Sequence, residues 1–118
     1  MNYICVFLSG GVGSVLRYAV GLALPSGAFP WATLCVNTLG SFLIGLFGAL
    51  SVRFGWPESI RLALTVGLCG GFTTFSTFGR EALALAQSGR WCAFAAYTLG
   101  SLALGIAAVA IGYAIAKQ

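Results

Sequence analysis

The chain has 118 residues, 59% apolar and 7% charged, whereas a soluble domain carries about 25% charged residues; a water-soluble globule is excluded and an integral membrane protein is expected. The net charge of +4 is spread through six single Lys or Arg residues without a polybasic run, which argues against nucleic acid as a partner and against a lipid-headgroup tail. There is no histidine, and Glu58 and Glu81 are the only acidic side chains, so an enzyme built on acid–base pairs or a metal-hydrolase centre has almost nothing to work with.

A spanning helix needs about 20 mainly apolar residues, and four such stretches fall at about 3–24, 31–52, 61–86 and 91–116. The predicted fold is an all-α integral membrane protein, one four-helix transmembrane domain over 1–118. Its first residues, Met-Asn-Tyr-Ile-Cys-Val-Phe-Leu, lack the basic region of a cleavable signal, so the first span is expected to be retained. Connections are expected at Pro25–Pro30, Arg53–Ser59 and Gln87–Arg90, where helix-punctuating residues gather. Trp31, Trp56, Trp91, Tyr3 and Tyr113 fall at segment ends, the level at which amphipathic aromatics anchor among headgroups. Cys5, Cys35, Cys69 and Cys92 lie inside apolar segments without Cys-x-x-Cys spacing and read as small packing residues.

The first span carries Gly10-Gly-Val-Gly-Ser-Val-Leu-Arg17-Tyr18. An arginine this deep is costly unless it faces protein, faces a water-filled vestibule or snorkels to the interface. In a vestibule, Arg17 would raise the local anion concentration. The second span places Thr33, Asn37 and Ser41 at four-residue steps on one helix face. Such a stripe either glues helices or lines a pathway, and three polar residues where one would serve as glue favour the pathway.

The third span holds Gly67-Leu-Cys-Gly-Gly-Phe-Thr-Thr-Phe-Ser-Thr-Phe-Gly-Arg-Glu81. Gly70 and Gly71 weaken the helix, and Thr73, Thr74, Ser76 and Thr77 offer hydroxyls to groups freed by an unwound turn, so a break is expected at the centre of this span. Interrupted helices at membrane depth mark ion or substrate sites. Beyond the break, Thr74, Thr77, Phe78 and Glu81 fall on one face. Phe75 and Phe78 are neighbours three residues apart, and their positive ring edges, with hydroxyls between, can hold a small anion without gripping it. The fourth span adds Tyr97, Ser101 and Gly105 at four-residue steps.

Counting positive residues by side gives Arg53, Arg61 and Lys117 against Arg17, Arg80 and Arg90. The positive-inside rule then selects no orientation. A chain that inserts both ways up can form an antiparallel homodimer, in which a broken helix meets its inverted copy as in transporters built from inverted repeats.

The runs Gly10-Gly-x-Gly-x-x-x-Arg17-Tyr18, Thr33-x-x-x-Asn37-x-x-Gly40-Ser-Phe-x-x-Gly45 and Gly67-x-x-Gly-Gly-Phe-Thr-Thr-Phe-Ser-Thr-Phe78-x-x-Glu81 resemble, in order and spacing, the Fluc family of small dual-topology fluoride channels. The resemblance implies passive export of cytoplasmic fluoride, and so fluoride resistance, across the bacterial inner membrane through two pores of an antiparallel homodimer. It assigns edge-on fluoride coordination to Phe75 and Phe78, and places Asn37, Thr33, Thr74, Thr77, Glu81, Tyr97 and Ser101 along the pathway. It further implies a structural sodium ion, Na+, at the dimer centre, held by the backbone carbonyls of Gly70 and Thr73 from each subunit. Neutral carbonyls freed by an unwound turn suit a small monovalent cation. One departure is Gly105, where some relatives carry serine. The competing reading, a proton-coupled exporter of the small multidrug type, needs a carboxylate in the first helix, and none precedes Glu58; a non-conducting accessory subunit would use the polar stripes as glue alone.

Overall fold

In the computed structural model all residues are described except Pro25, Ser26, Ala28 and Gln118, so the expected first connection lies partly outside the described residues. Those residues are helical, without a strand, and four helical spans among them are long and apolar enough to cross a membrane. The first is α1, Asn2–Ala23, and the second is α2, Trp31–Arg53. The third span, Glu58–Gln87, is divided. Its first half, α3, is helical over 58–72: an α-helical turn at Glu58–Leu62, a π-helical stretch at Ala63–Cys69 and a further turn at Gly70–Phe72. The second half, α4, is Ser76–Gln87, and α5, Trp91–Lys117, completes the chain.

Helix ends follow local chemistry. After α2 and α4, Gly55 and Gly89 adopt φ of 60° and 77°. The amides of Trp56 and Arg90 then reach back to Ser51 and Leu85 carbonyls, each at 3.0 Å, which are Schellman closures that only glycine enters without strain. Pro57 precedes α3 and Glu58 stands in its first turn, where a carboxylate complements the exposed amides. Asn2 Nδ2 donates to Glu58 Oε1 at 3.2 Å, tying the starts of α1 and α3 together.

Two helix pairs make the body, α2 with α5 and α1 with α3. Both pairs rest on backbone approach at glycine. A Cβ on Gly45 would collide with the Val109 backbone, and one on Gly112 with the Phe42 carbonyl. Likewise, a Cβ on Gly13 would strike Leu68 O and one on Gly71 would strike Gly10 O. Small residues serve this purpose in a bilayer, where dispersion packing rather than hydrophobic exclusion joins helices.

The break lies at the centre of the third span, as expected, but just beyond the glycine pair. Helix continues through Gly70 and Gly71, and the chain turns extended only at Thr73, with φ −89° and ψ 161°. The physical reason is that Gly71 serves the contact with α1, while the opening is made by side-chain hydrogen bonds further on. The cysteines also divide. Cys69 is buried and Cys5 half-buried, as packing residues should be, but Cys35 and Cys92 are exposed on this single chain.

Candidate functional site

The break is wired by side chains from outside the third span. Asn37 of α2 accepts from the Thr74 amide through Oδ1 at 2.8 Å and donates through Nδ2 to the Thr74 carbonyl at 2.9 Å. Its amide thus pairs with both the N–H and the C=O of one residue, as a neighbouring strand would. The Thr77 amide donates to Thr74 Oγ1 at 3.2 Å, serving the first turn of α4. On the other half, the Thr73 amide and hydroxyl both donate to the Cys69 carbonyl, each at 3.0 Å. Arg17 Nε donates to the Gly71 carbonyl at 3.2 Å, a cation at the negative end of a helix half.

Two hollows flank this break. One, of about 820 Å³, is lined by Arg17, Arg80, Thr33, Thr77 and Glu81 among others. The second, an open groove of about 570 Å³, is lined by Asn37, Ser41, Phe75, Phe78 and Ser101, and its wall includes Gly70 and Thr73. Thr74 belongs to both linings. The polar residues expected on a common track are therefore partitioned, Thr33, Thr77 and Glu81 toward the first hollow and Asn37, the rings and Ser101 toward the second, with Thr74 at the junction.

Tyr97 lines neither hollow. It is fully buried, at 0% exposure, and its hydroxyl donates to Glu81 Oε1 at 3.0 Å. Thr33 approaches the same hydroxyl. The Phe78 ring lies 5.0 Å from that of Tyr97, and Phe29 meets Tyr97 edge-on at 5.5 Å and 81°. Tyr97 thereby anchors α4 to α5 and fixes both Glu81 and Phe78. Phe29 was missed in the sequence because a lone aromatic in a connection gives no periodic signal.

Phe75 and Phe78 have ring centroids 5.8 Å apart at 39°. Phe75 is 82% exposed on the single chain, an open ring beside the groove. The Ser101 hydroxyl is buried without a hydrogen-bond partner among the described residues. A half-open groove carrying amide and hydroxyl donors and ring edges, with the start of α4 at its side, suits a small anion electrostatically. Among the described residues no cluster of three or more His, Cys, Asp or Glu side chains could hold a metal ion.

A model of the family described as CrcB-like protein, Camphor Resistance (CrcB), matches residues 4–113. A protein of Phocaeicola vulgatus named fluoride-specific ion channel FluC is 49% identical over 114 residues, covering 94% of this chain and 94% of the relative. Proteins of the same name from Methylobacterium sp. (strain 4-46) and Thermus thermophilus are 45% and 48% identical, covering 100% and 95% of this chain and 98% and 92% of the relatives. With a family match from residue 4 to residue 113 and relatives of this identity aligned end to end, the chain belongs to the CrcB-like family, the Fluc family that its motifs resemble.

Proposed function

We propose that the chain is a multi-pass inner-membrane channel that passes fluoride passively out of the cytoplasm. The observation that carries this reading is the groove in which Asn37, Phe75, Phe78 and Ser101 converge beside the start of α4, on a chain whose relatives carry the name fluoride-specific ion channel. The chemistry is transport without a covalent step. Ring edges and hydroxyls attract fluoride weakly enough for it to leave again, while Arg17 and Arg80 in the first hollow raise anion concentration at its mouth.

The groove is open on the single chain, and a second copy in antiparallel orientation would close it, giving two pores per dual-topology dimer. The exposure of Phe75 and the open space over Gly70 support a partner at this face. From the first hollow the ion would pass Thr33, Thr77 and Glu81, cross at Thr74 and continue past Phe78, Phe75, Asn37 and Ser101. Tyr97 would orient Glu81 and Phe78 rather than touch the ion.

Gly70 and Thr73 fit a monovalent cation, with sodium the expected occupant. The amides that a continuous helix would deliver to these two carbonyls, those of Thr74 and Thr77, go to Asn37 Oδ1 and Thr74 Oγ1 instead. Carbonyls without donors at membrane depth are costly. A sodium ion there would supply positive charge to four carbonyls across the dimer axis and would be structural, without moving along with fluoride.

Fluoride efflux from liposomes loaded with fluoride and carrying the purified chain tests the reading. Rapid efflux with a potassium ionophore and no proton gradient is expected. Efflux that requires a proton gradient would instead mark an exchanger, and none at all would leave the groove as helix packing.

A further inference from the structure

We propose that Asn37 and Thr74 hold the third span open: they take the two amide protons that would otherwise seal the Gly70 and Thr73 carbonyls, and so make the break able to bind a cation. The inference rests on the reading of those carbonyls as sodium ligands. In a continuous helix the Thr74 amide serves Gly70 O and the Thr77 amide serves Thr73 O. Here the Thr74 amide goes to Asn37 Oδ1 at 2.8 Å and the Thr77 amide to Thr74 Oγ1 at 3.2 Å. Each diversion removes one donor from one proposed ligand, and neither acceptor lies in the first half of the span.

The neighbouring carbonyls are treated differently. Cys69 O receives Thr73, Gly71 O receives Arg17 and Thr74 O receives Asn37. Side chains thus satisfy both oxygens beside Gly70 O, and the one that follows Thr73 O. Glycine alone does not account for this, because Gly70 and Gly71 remain helical.

Asn37 is matched to the task. Its amide presents one acceptor and two donors, so after binding both the N–H and the C=O of Thr74 it retains one N–H, and it lines the groove. One residue therefore serves the anion path and the cation site together, and Thr74, at the junction of the two hollows, does the same. An amide that loses its acceptor in hydrocarbon is driven to the nearest free oxygen. In rewound helix that oxygen is Gly70 O for the Thr74 amide and Thr73 O for the Thr77 amide. Losing either side chain would rewind part of the break and withdraw a ligand.

The test is sodium titration of the purified full chain in detergent, starting from N-methyl-D-glucamine, with the thermal unfolding midpoint as readout. A cation that binds only the folded dimer raises that midpoint with concentration. For Asn37→Leu and for Thr74→Val, the sodium concentration giving half the effect should rise about tenfold or more. Asn37→Asp, which keeps an oxygen for the Thr74 amide, should retain the parent's response even as it impairs fluoride efflux. Phe78→Ile, which leaves both acceptors in place, should also retain it. If Asn37→Leu does not fold, Thr74→Val decides alone. Variants that match the parent's titration overturn the inference and leave the cation site standing. A parent indifferent to sodium overturns both, whereas fluoride efflux, measured separately, decides the channel reading.

Discussion

At the residue scale, the two phenylalanines make different contacts and should respond differently to the same change. Phe75 is exposed and its ring meets that of Phe78, while Phe78 also packs on buried Tyr97. Replacing either by Ile keeps apolar bulk and removes the positive ring edge. Fluoride efflux should fall about tenfold or more in both, equivalent to ~1.4 kcal/mol of lost ion stabilisation. Only Phe78→Ile should also lower the thermal midpoint, since only it breaks the cluster with Tyr97; parent-like efflux in both variants would make the rings packing residues. Tyr97→Phe isolates the hydroxyl. It leaves the ring cluster but takes a donor from Glu81 Oε1, and the loss of that hydrogen bond is expected to cost about 0.5–1.5 kcal/mol, read by denaturant unfolding. The sequence pattern put Tyr97 on a polar stripe with Ser101. Four-residue spacing does give one helix face, but whether that face meets a cavity or a neighbouring ring depends on Phe29 and Phe78, and spacing carries no trace of them.

At the element scale, the spans were legible and the interior of the third was only partly so. Twenty-odd apolar residues bounded by glycine, proline and arginine leave little freedom, and observed limits such as Trp31–Arg53 fall close to expectation. The Gly70-Gly71 pair pointed to a break nearby but not to its position, because the same residue type also answers the need for close approach to α1. The π-helical stretch Ala63–Cys69 had no local signature, since apolar residues follow either helical winding. Close approach yields a contrast that can be measured. Gly13→Ala and Gly112→Ala each place a methyl against backbone of the opposing helix, and backbone cannot rotate aside. Each should destabilise the fold by about 1–3 kcal/mol, the cost of overpacking. Gly21, inside α1 with nothing near its missing Cβ, should tolerate alanine or gain up to ~1 kcal/mol from helix propensity. Thermal unfolding of the three variants side by side reads the difference, and equal midpoints would show that the glycine contacts do not set the helix spacing.

At the scale of the whole molecule, the balanced charge becomes a statement about two ends of one body. The structure groups Arg17, Arg80 and Arg90 around one hollow. At the other end of the sequence pattern, Arg53 Nη1 donates to the Ala116 carbonyl at 3.0 Å, which puts Arg53 beside the end of α5 that carries Lys117. The count by side stays three against three, and a rule that reads positive charge near span ends has no preference to act on. Small additions should tip such a balance. Gln87→Lys with Ser88→Lys adds two charges beside Arg90, and Phe54→Lys with Ser59→Lys adds two beside Arg53 and Arg61. Each double variant should insert mostly one way, in opposite senses, as read by a C-terminal reporter that is active on only one side of the membrane. If the working unit is an antiparallel pair, each variant expressed alone should protect cells poorly against fluoride, and expressing the two together should restore protection. The effect should be strongest at low external pH, where HF crosses the bilayer and is trapped inside as the anion. Full protection by a single-orientation variant alone would overturn the antiparallel pair, and would require the groove beside Phe75 to be closed by a parallel copy or by lipid.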